Sequence, residues 1–97
     1  MGEEATIQRN IMQAAEVAGC EVIRLNAGRG RYNQHLAKPG TPDLLLVAPD
    51  GRTLWVEVKT KGGKLSEDQV VMHMALTARK QHVIVARDVE DVMEVLR

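Results

Sequence analysis

Gly40-Thr41-Pro42-Asp43-Leu44-Leu45-Leu46-Val47, followed after one turn by Thr53-Leu54-Trp55-Val56-Glu57-Val58-Lys59-Thr60, decides the fold of this chain. Both stretches are apolar and β-branched enough to read as strands, over 42–48 and 53–60. Between them, Pro49 presets the first turn position and Gly51 accepts a left-handed backbone. A three-residue loop of Pro49, Asp50 and Gly51 pairs Ala48 with Arg52. Counting outward, Leu46 faces Leu54, Leu44 faces Val56, and Asp43 faces Glu57. Opposed residues share one sheet face, so the two carboxylates converge on one spot. A slip of one residue would send them to opposite faces. Lys59, two beyond Glu57, lies on their face.

Ionisable groups on such strands are costly unless paired or bound to a metal. Two like charges facing each other need a neutralising partner. A hard divalent cation supplies one, and Mg²⁺ takes only one or two carboxylates while keeping several waters. A metal so held activates a bound water and polarises a phosphoryl oxygen, the equipment for cutting a phosphodiester. Lys59 would then orient the water or stabilise charge developing on phosphorus. The structural alternative is a core ion pair joining Lys59 to Glu57 or Asp43.

Working outward, residues 3–18 read as an amphipathic helix with Ile7, Ile11, Ala14, Ala15 and Ala18 inward. Residues 21–26 read as a first strand. Residues 27–41 read as a long glycine-containing loop, a length associated with function or disorder. The Lys61-Gly62-Gly63-Lys64 turn is flexible and basic, and lacks the P-loop pattern. Ser66 and Gln69 form a capping box that opens a helix running to about residue 79. Its inward residues are expected to be Val71, Met74, Ala75 and Ala78. Residues 82–86 read as a buried strand, and Asp88 caps a short last helix. The order is αβββαβα, an α/β arrangement.

The chain has 97 residues, which implies a single domain over 1–97. One cysteine, Cys20, excludes a disulfide framework and fits a reducing, cytoplasmic compartment. No signal peptide or membrane span is expected. Net charge is zero, but it is unevenly spread. Residues 24–64 carry eight basic side chains against three acidic ones, and the remainder is acidic. A basic centre is the usual footprint of phosphate binding, with scattered solvated charge as the plain alternative.

Pro42-Asp43 with Glu57-Val58-Lys59 on the next strand resembles the PD-(D/E)XK nuclease signature. More narrowly, the chain resembles the virus-type replication-repair nuclease domain, VRR-NUC. The matching blocks are Glu4-Ala5-Thr6-Ile7-Gln8, Gly40-Thr41-Pro42-Asp43, Glu57-Val58-Lys59-Thr60, and Lys64-Leu65-Ser66-Glu67-Asp68-Gln69. They run in family order over nearly the whole chain. The resemblance implies a compact αβββαβα restriction-endonuclease-like fold, with a mixed central sheet flanked by helices. It implies metal binding, of Mg²⁺ or Mn²⁺, by Asp43, Glu57 and the Val58 carbonyl. It implies a catalytic role for Lys59, a water-mediated approach of Glu4 to the metal, and support from Gln8 and Gln69. It also suggests a bacterial or phage setting.

Plain readings stand beside these. Glu4 is an ordinary first-turn acid by itself, although it shares a helix face with Gln8. Gln69 is already accounted for by the capping box. Arg29 and Arg31, in a glycine-rich loop before the metal strand, suit phosphate contacts. Tyr32 suits base stacking, and Lys61 and Lys64 are further DNA contacts. Trp55 is expected to pack under the first helix. His35, His73 and His82 show no metal-ligand spacing and read as incidental. Methionines at helical spacing read as core. Asp50 is a turn residue.

The functional expectation is a metal-dependent nuclease acting on structured or branched DNA. Resolving a four-way junction needs two symmetric cuts, so a homodimer is expected. The rivals are a catalytically silent nucleic-acid-binding module of the same fold, and a nuclease for simple duplex, flap or RNA substrates.

Overall fold

The computed structural model describes residues 2–26 and 38–97. Their elements are α1 (Glu3–Val17), β1 (Glu21–Arg24), β2 (Leu44–Val47), β3 (Thr53–Val58), α2 (Glu67–Ala78), β4 (Val83–Ala86) and α3 (Val89–Leu96). The expected αβββαβα succession is present. Several elements are a residue or two shorter than the residue pattern suggests.

The strands form one sheet in the order β1-β2-β3-β4. β1 pairs antiparallel with β2, and β2 with β3, whereas β3 and β4 are parallel. A parallel pair needs a crossover, and α2 provides it. The β2–β3 register follows from the turn: Leu46 faces Leu54 and Leu44 faces Val56. The hairpin closes with the Ala48 N–H donating to the Arg52 carbonyl at 2.8 Å. Gly51 sits at φ 94°, the left-handed conformation that only glycine adopts without strain.

Alternation gives the sheet two unlike faces. Leu44, Leu46, Leu54, Val56, Val58 and Ala86 are buried and cluster with Ile11 and Ala15 of α1 and Val92 of α3. Each such Leu or Val contributes roughly 1.5–3 kcal/mol by leaving water. On the opposite face lie Leu45, Trp55, Glu57 and Val83. There α2 is the cover, and the apolar members are only half-buried.

This division corrects the placement of Trp55. It lies on the α2 side, between Leu45 and Val83, and its indole N–H donates to Gln81 Oε1 at 2.9 Å. Alternation ties Trp55 to the face of Glu57, and the first helix packs on the other one.

The α2 N-terminus matches its reading. Ser66 accepts from the Gln69 N–H at 3.2 Å, and Gln69 Oε1 accepts from the Ser66 N–H at 2.9 Å. Its orientation does not match. Val71 and Met74 are 66% and 67% exposed, Ala78 is exposed, and no α2 residue is fully buried. The half-buried set is Gln69, Met72, His73, Ala75 and Leu76. The helix therefore turns a partly polar stripe to the sheet, because Gln69 and His73 have a buried carboxylate to reach. Met74 is accordingly not a core methionine.

Candidate active site

Asp43 stands one residue before β2, and Glu57 is the penultimate residue of β3. Continuing the register by one step brings them together at the end of the sheet. The ladder gives way at this point: the Asp43 N–H donates to the Val56 carbonyl at 3.0 Å. The Asp43 side chain turns onto the β3 backbone, where Oδ2 accepts from the Val58 N–H at 2.8 Å. Asp43 Oδ1 accepts from Asn26 Nδ2 at 3.0 Å. Asn26 in turn donates to Gln8 Oε1 at 3.1 Å, which ties Asp43 to α1.

Glu57 is 2% exposed and is the buried charged residue of the core. Both of its oxygens have partners on α2. Gln69 Nε2 donates to Oε2 at 3.2 Å, and His73 Nε2 lies 3.3 Å from Oε1. Gln69 thus does two things with one amide. Its oxygen closes the capping box and its nitrogen holds Glu57.

Burial, and next the Asp43 carboxylate beside it, push the Glu57 carboxyl up to about 8. A hydrogen bond with Asp43 and the charge of Glu4 raise it further, while Lys59 opposes the rise. The spacing of His73 and Glu57 would suit an ion pair. Burial and the neighbouring charge of Lys59 hold His73 below its ordinary value, so the contact is a hydrogen bond of a neutral imidazole.

Lys59 follows β3 directly, and its N–H donates to the Ala86 carbonyl at 3.1 Å. Its charge reaches both Glu57 and His73. No ion pair joins it to Asp43 or Glu57, so the core ion-pair alternative is not what the chain forms among its described residues.

The remaining expected residues divide. Gln8 and Gln69 reach the carboxylate pair, Gln8 through Asn26. Glu4 is exposed on the first turn of α1 and touches the pair only through its charge. Lys61 and Lys64 are exposed on the turn after β3. Arg29, Arg31 and Tyr32 lie outside the described residues. An open groove of about 720 Å³ runs along α1, with Glu4, Gln8, Arg9, Arg24 and Asn26 among its walls. Arg52, counted in the basic centre, is engaged elsewhere. It pairs with Asp50 at 2.8 Å and donates to the Val95 and Leu96 carbonyls at the end of α3.

Sequence reasoning passed over three residues. His73, read as incidental, lies against Glu57; its place four residues after Gln69 was the available signal, since such residues share a helix face. Asn26 holds Asp43, and nothing local marks it. Arg87 was likewise unmarked. Its guanidinium donates to the carbonyls of Thr60, Lys61 and Gly63, so the basic turn is pinned from the residue that follows β4.

One glycine belongs to the same construction. Gly40 has φ 87°, and a Cβ there would overlap the Asp68 carbonyl. The segment entering Asp43 thus packs backbone to backbone on the start of α2.

The donor set fits a divalent cation. Two carboxylates face each other at the end of the sheet, held by neutral hydrogen bonds, and the buried one is driven toward protonation by burial and by its carboxylate neighbour. Hard cations take such oxygen ligands. Among the described residues, no group of three or more His, Cys, Asp or Glu side chains is arranged around a metal position. Metal ligation here would rest on the pair and on the adjacent backbone.

A four-stranded mixed sheet flanked by helices is the fold of a nuclease-type module. The VRR-NUC domain family model matches residues 3–89, and the chain belongs to that family. A solved structure described as a VRR_NUC domain superposes with a TM-score of 0.80 at 25% identity, covering 98% of this chain and 95% of the other. No curated protein sequence matches the chain. Among the described residues no helix is long and apolar enough to cross a membrane.

Proposed function

We propose that this chain is a Mg²⁺- or Mn²⁺-dependent deoxyribonuclease that hydrolyses phosphodiester bonds in structured or branched DNA. The observation that carries the reading is the meeting of Asp43 and Glu57 beside Lys59 at the end of the sheet. Asp43, Glu57 and the Val58 carbonyl would hold the metal. When bound, the metal supplies an acidified water and a Lewis acid for the phosphoryl oxygen.

The chain's own residues do the rest. Asn26 and the Val58 N–H orient Asp43, while Gln69 and His73 orient Glu57, so neither carboxylate has to reorganise. Lys59, which forms no ion pair with either carboxylate among the described residues, would offer its ammonium to the attacking water or to the charge that grows on the phosphoryl group. Glu4 would act on the pair through its charge, and Arg9 and Arg24, which line the groove along α1, would contact a phosphate backbone. Arg29, Arg31, Tyr32, Lys61 and Lys64 are the other DNA contacts of this reading. A homodimer would supply the two cuts of junction resolution.

The test is cleavage of a four-way junction, flap, single strand, duplex and RNA with Mg²⁺, Mn²⁺ or EDTA. Metal-dependent cutting of junction or flap DNA is expected. Binding without cleavage would instead favour a silent module, and a preference for simple duplex or RNA would replace the substrate.

A further inference from the structure

We propose that Arg87 is a positioning residue for Lys59: by holding the turn that follows β3, it fixes where the lysine ammonium points. This rests on the nuclease reading above and deepens it by naming what steadies its lysine.

Arg87 follows β4 directly. The parallel β3–β4 ladder pairs Val58 with Ala86, and the Lys59 N–H donates to the Ala86 carbonyl at 3.1 Å. One step further along this pair, Arg87 stands beside Lys59. A half-buried guanidinium needs acceptors, and this one finds them on the backbone. From a single nitrogen, Nη1, it donates to the carbonyls of Thr60 and Gly63, the latter at 2.8 Å, and to that of Lys61 at 3.3 Å. Among the described residues no acid pairs with it. Its own backbone is anchored as well, because the Arg87 N–H donates to Asp91 Oδ2 at 2.9 Å, in the first turn of α3. Arg87 is thus an arm that reaches from the β4–α3 junction to the turn.

The turn it holds is the seat of the Lys59 stem. The Thr60 carbonyl also accepts from the Gly63 N–H at 3.0 Å, so the chain doubles back directly after Lys59. A Cβ built on Gly63 would stand 3.5 Å from Lys59 Cδ and 3.2 Å from Thr60 Oγ1. The lysine stem therefore runs over the bare face of Gly63. Among the described residues no other side chain hydrogen-bonds the backbone of residues 60–63. Lysine is a point charge on a flexible four-carbon stem, so its ammonium is only as well placed as the stem is held. Releasing Gly63 removes the seat while leaving every atom of Lys59 in the chain.

The experiment compares wild type, Arg87→Met, Arg87→Lys, Lys59→Ala and the Lys59→Ala/Arg87→Met double variant. Single-turnover cleavage with Mg²⁺ or Mn²⁺ and a DNA-binding titration are read at a temperature where circular dichroism shows each protein folded. Arg87→Met should lower the rate at saturating DNA by about 10–100-fold and leave DNA affinity within about twofold. In the Lys59→Ala background the same change should cost no more than about twofold, because the side chain it serves is gone. All three bonds leave one nitrogen, so the three donors of a lysine ammonium can replace them, and Arg87→Lys should recover most of the rate. A fall in DNA affinity, an undiminished loss in the Lys59→Ala background, or a failure of Arg87→Lys to rescue overturns the inference. Side-chain ¹³C relaxation of Lys59 in the metal-free chain reads the positioning without cleavage. The stem should be ordered in wild type and Arg87→Lys, and mobile in Arg87→Met. A stem already mobile in wild type overturns the inference with no variant needed. If wild type cuts no DNA, yet Arg87→Met sets the stem free, the nuclease reading fails and the positioning stands.

Discussion

Glu57→Gln should make the metal-free protein more stable at alkaline pH, although it deletes a buried side-chain charge at the centre of the site. In the folded chain the Glu57 carboxyl is pushed up to about 8, against an ordinary value of 4.5. The folded state therefore keeps a proton that the unfolded chain releases. Stability from this group is fully present below about pH 4.5 and is lost as pH rises toward and through about 8. At ~1.4 kcal/mol per pH unit, the gap corresponds to on the order of 5 kcal/mol at pH 9. That is a large share of the roughly 5–15 kcal/mol that holds a domain together. At about 4–8 °C per kcal/mol, the Tm in EDTA should fall by about 20 °C or more between pH 5 and pH 9. Glutamine has the same shape and no charge. Its carbonyl can accept from Gln69, and its amide can donate to Asp43 or to neutral His73. The variant should therefore lack most of this pH dependence and stay within ~1 kcal/mol of wild type near pH 5. Urea unfolding of both proteins in EDTA across pH 5–9 measures the difference. Parallel curves would refute the claim that Glu57 lies unneutralised beside Asp43. Adding Mg²⁺ or Mn²⁺ at pH 9 should stabilise wild type and not the variant, because a ligand of the folded state alone shifts the equilibrium by mass action.

Other perturbations probe the neighbouring links. Lys59→Ala should lower the cleavage rate by about 10²–10³-fold while leaving DNA binding in place, read from single-turnover cleavage and a binding titration; unchanged cleavage rejects a role for Lys59. Asn26→Ala removes the side-chain donor on Asp43 and should cost roughly 10–100-fold in metal affinity or rate, measured by metal titration of cleavage. Gly40→Ala puts a Cβ into the Asp68 carbonyl at a positive φ and should cost more than ~2 kcal/mol in urea unfolding; a neutral effect would mean that this segment does not pack on α2. Arg87→Met leaves the Thr60, Lys61 and Gly63 carbonyls without their guanidinium donor and should cost about 1–3 kcal/mol, with faster hydrogen exchange confined to that turn.

Much of the site was legible because its first links are local. The Pro49-Asp50-Gly51 turn sets the β2–β3 register as far as Leu44 opposite Val56, one step short of Asp43 and Glu57. The capping box at Ser66 and Gln69 is local too, and it opens α2 where it was expected. His73 shows the limit. Its spacing from Gln69 was visible, but only the packing of α2 on the sheet reveals that both side chains end on Glu57. Asn26 and Arg87 act on partners 17 and 24–27 residues away, and no local pattern records such distances.

By itself the sequence determined the elements, the hairpin register and the meeting of two carboxylates with a lysine on one sheet face. Periodicity, turn chemistry and capping are short-range, and they act before the chain is packed. Only the tertiary structure decided which layer covers which face. The α1–α3 layer takes the apolar side of the sheet, so Trp55 and Glu57 fall to α2. In a helix uncharged beyond its first turn every side is a candidate for burial, and apolar periodicity cannot choose between them. The choice was made by a buried carboxylate that needs hydrogen bonds. It drew Gln69 and His73 inward and left Val71 and Met74 in solvent.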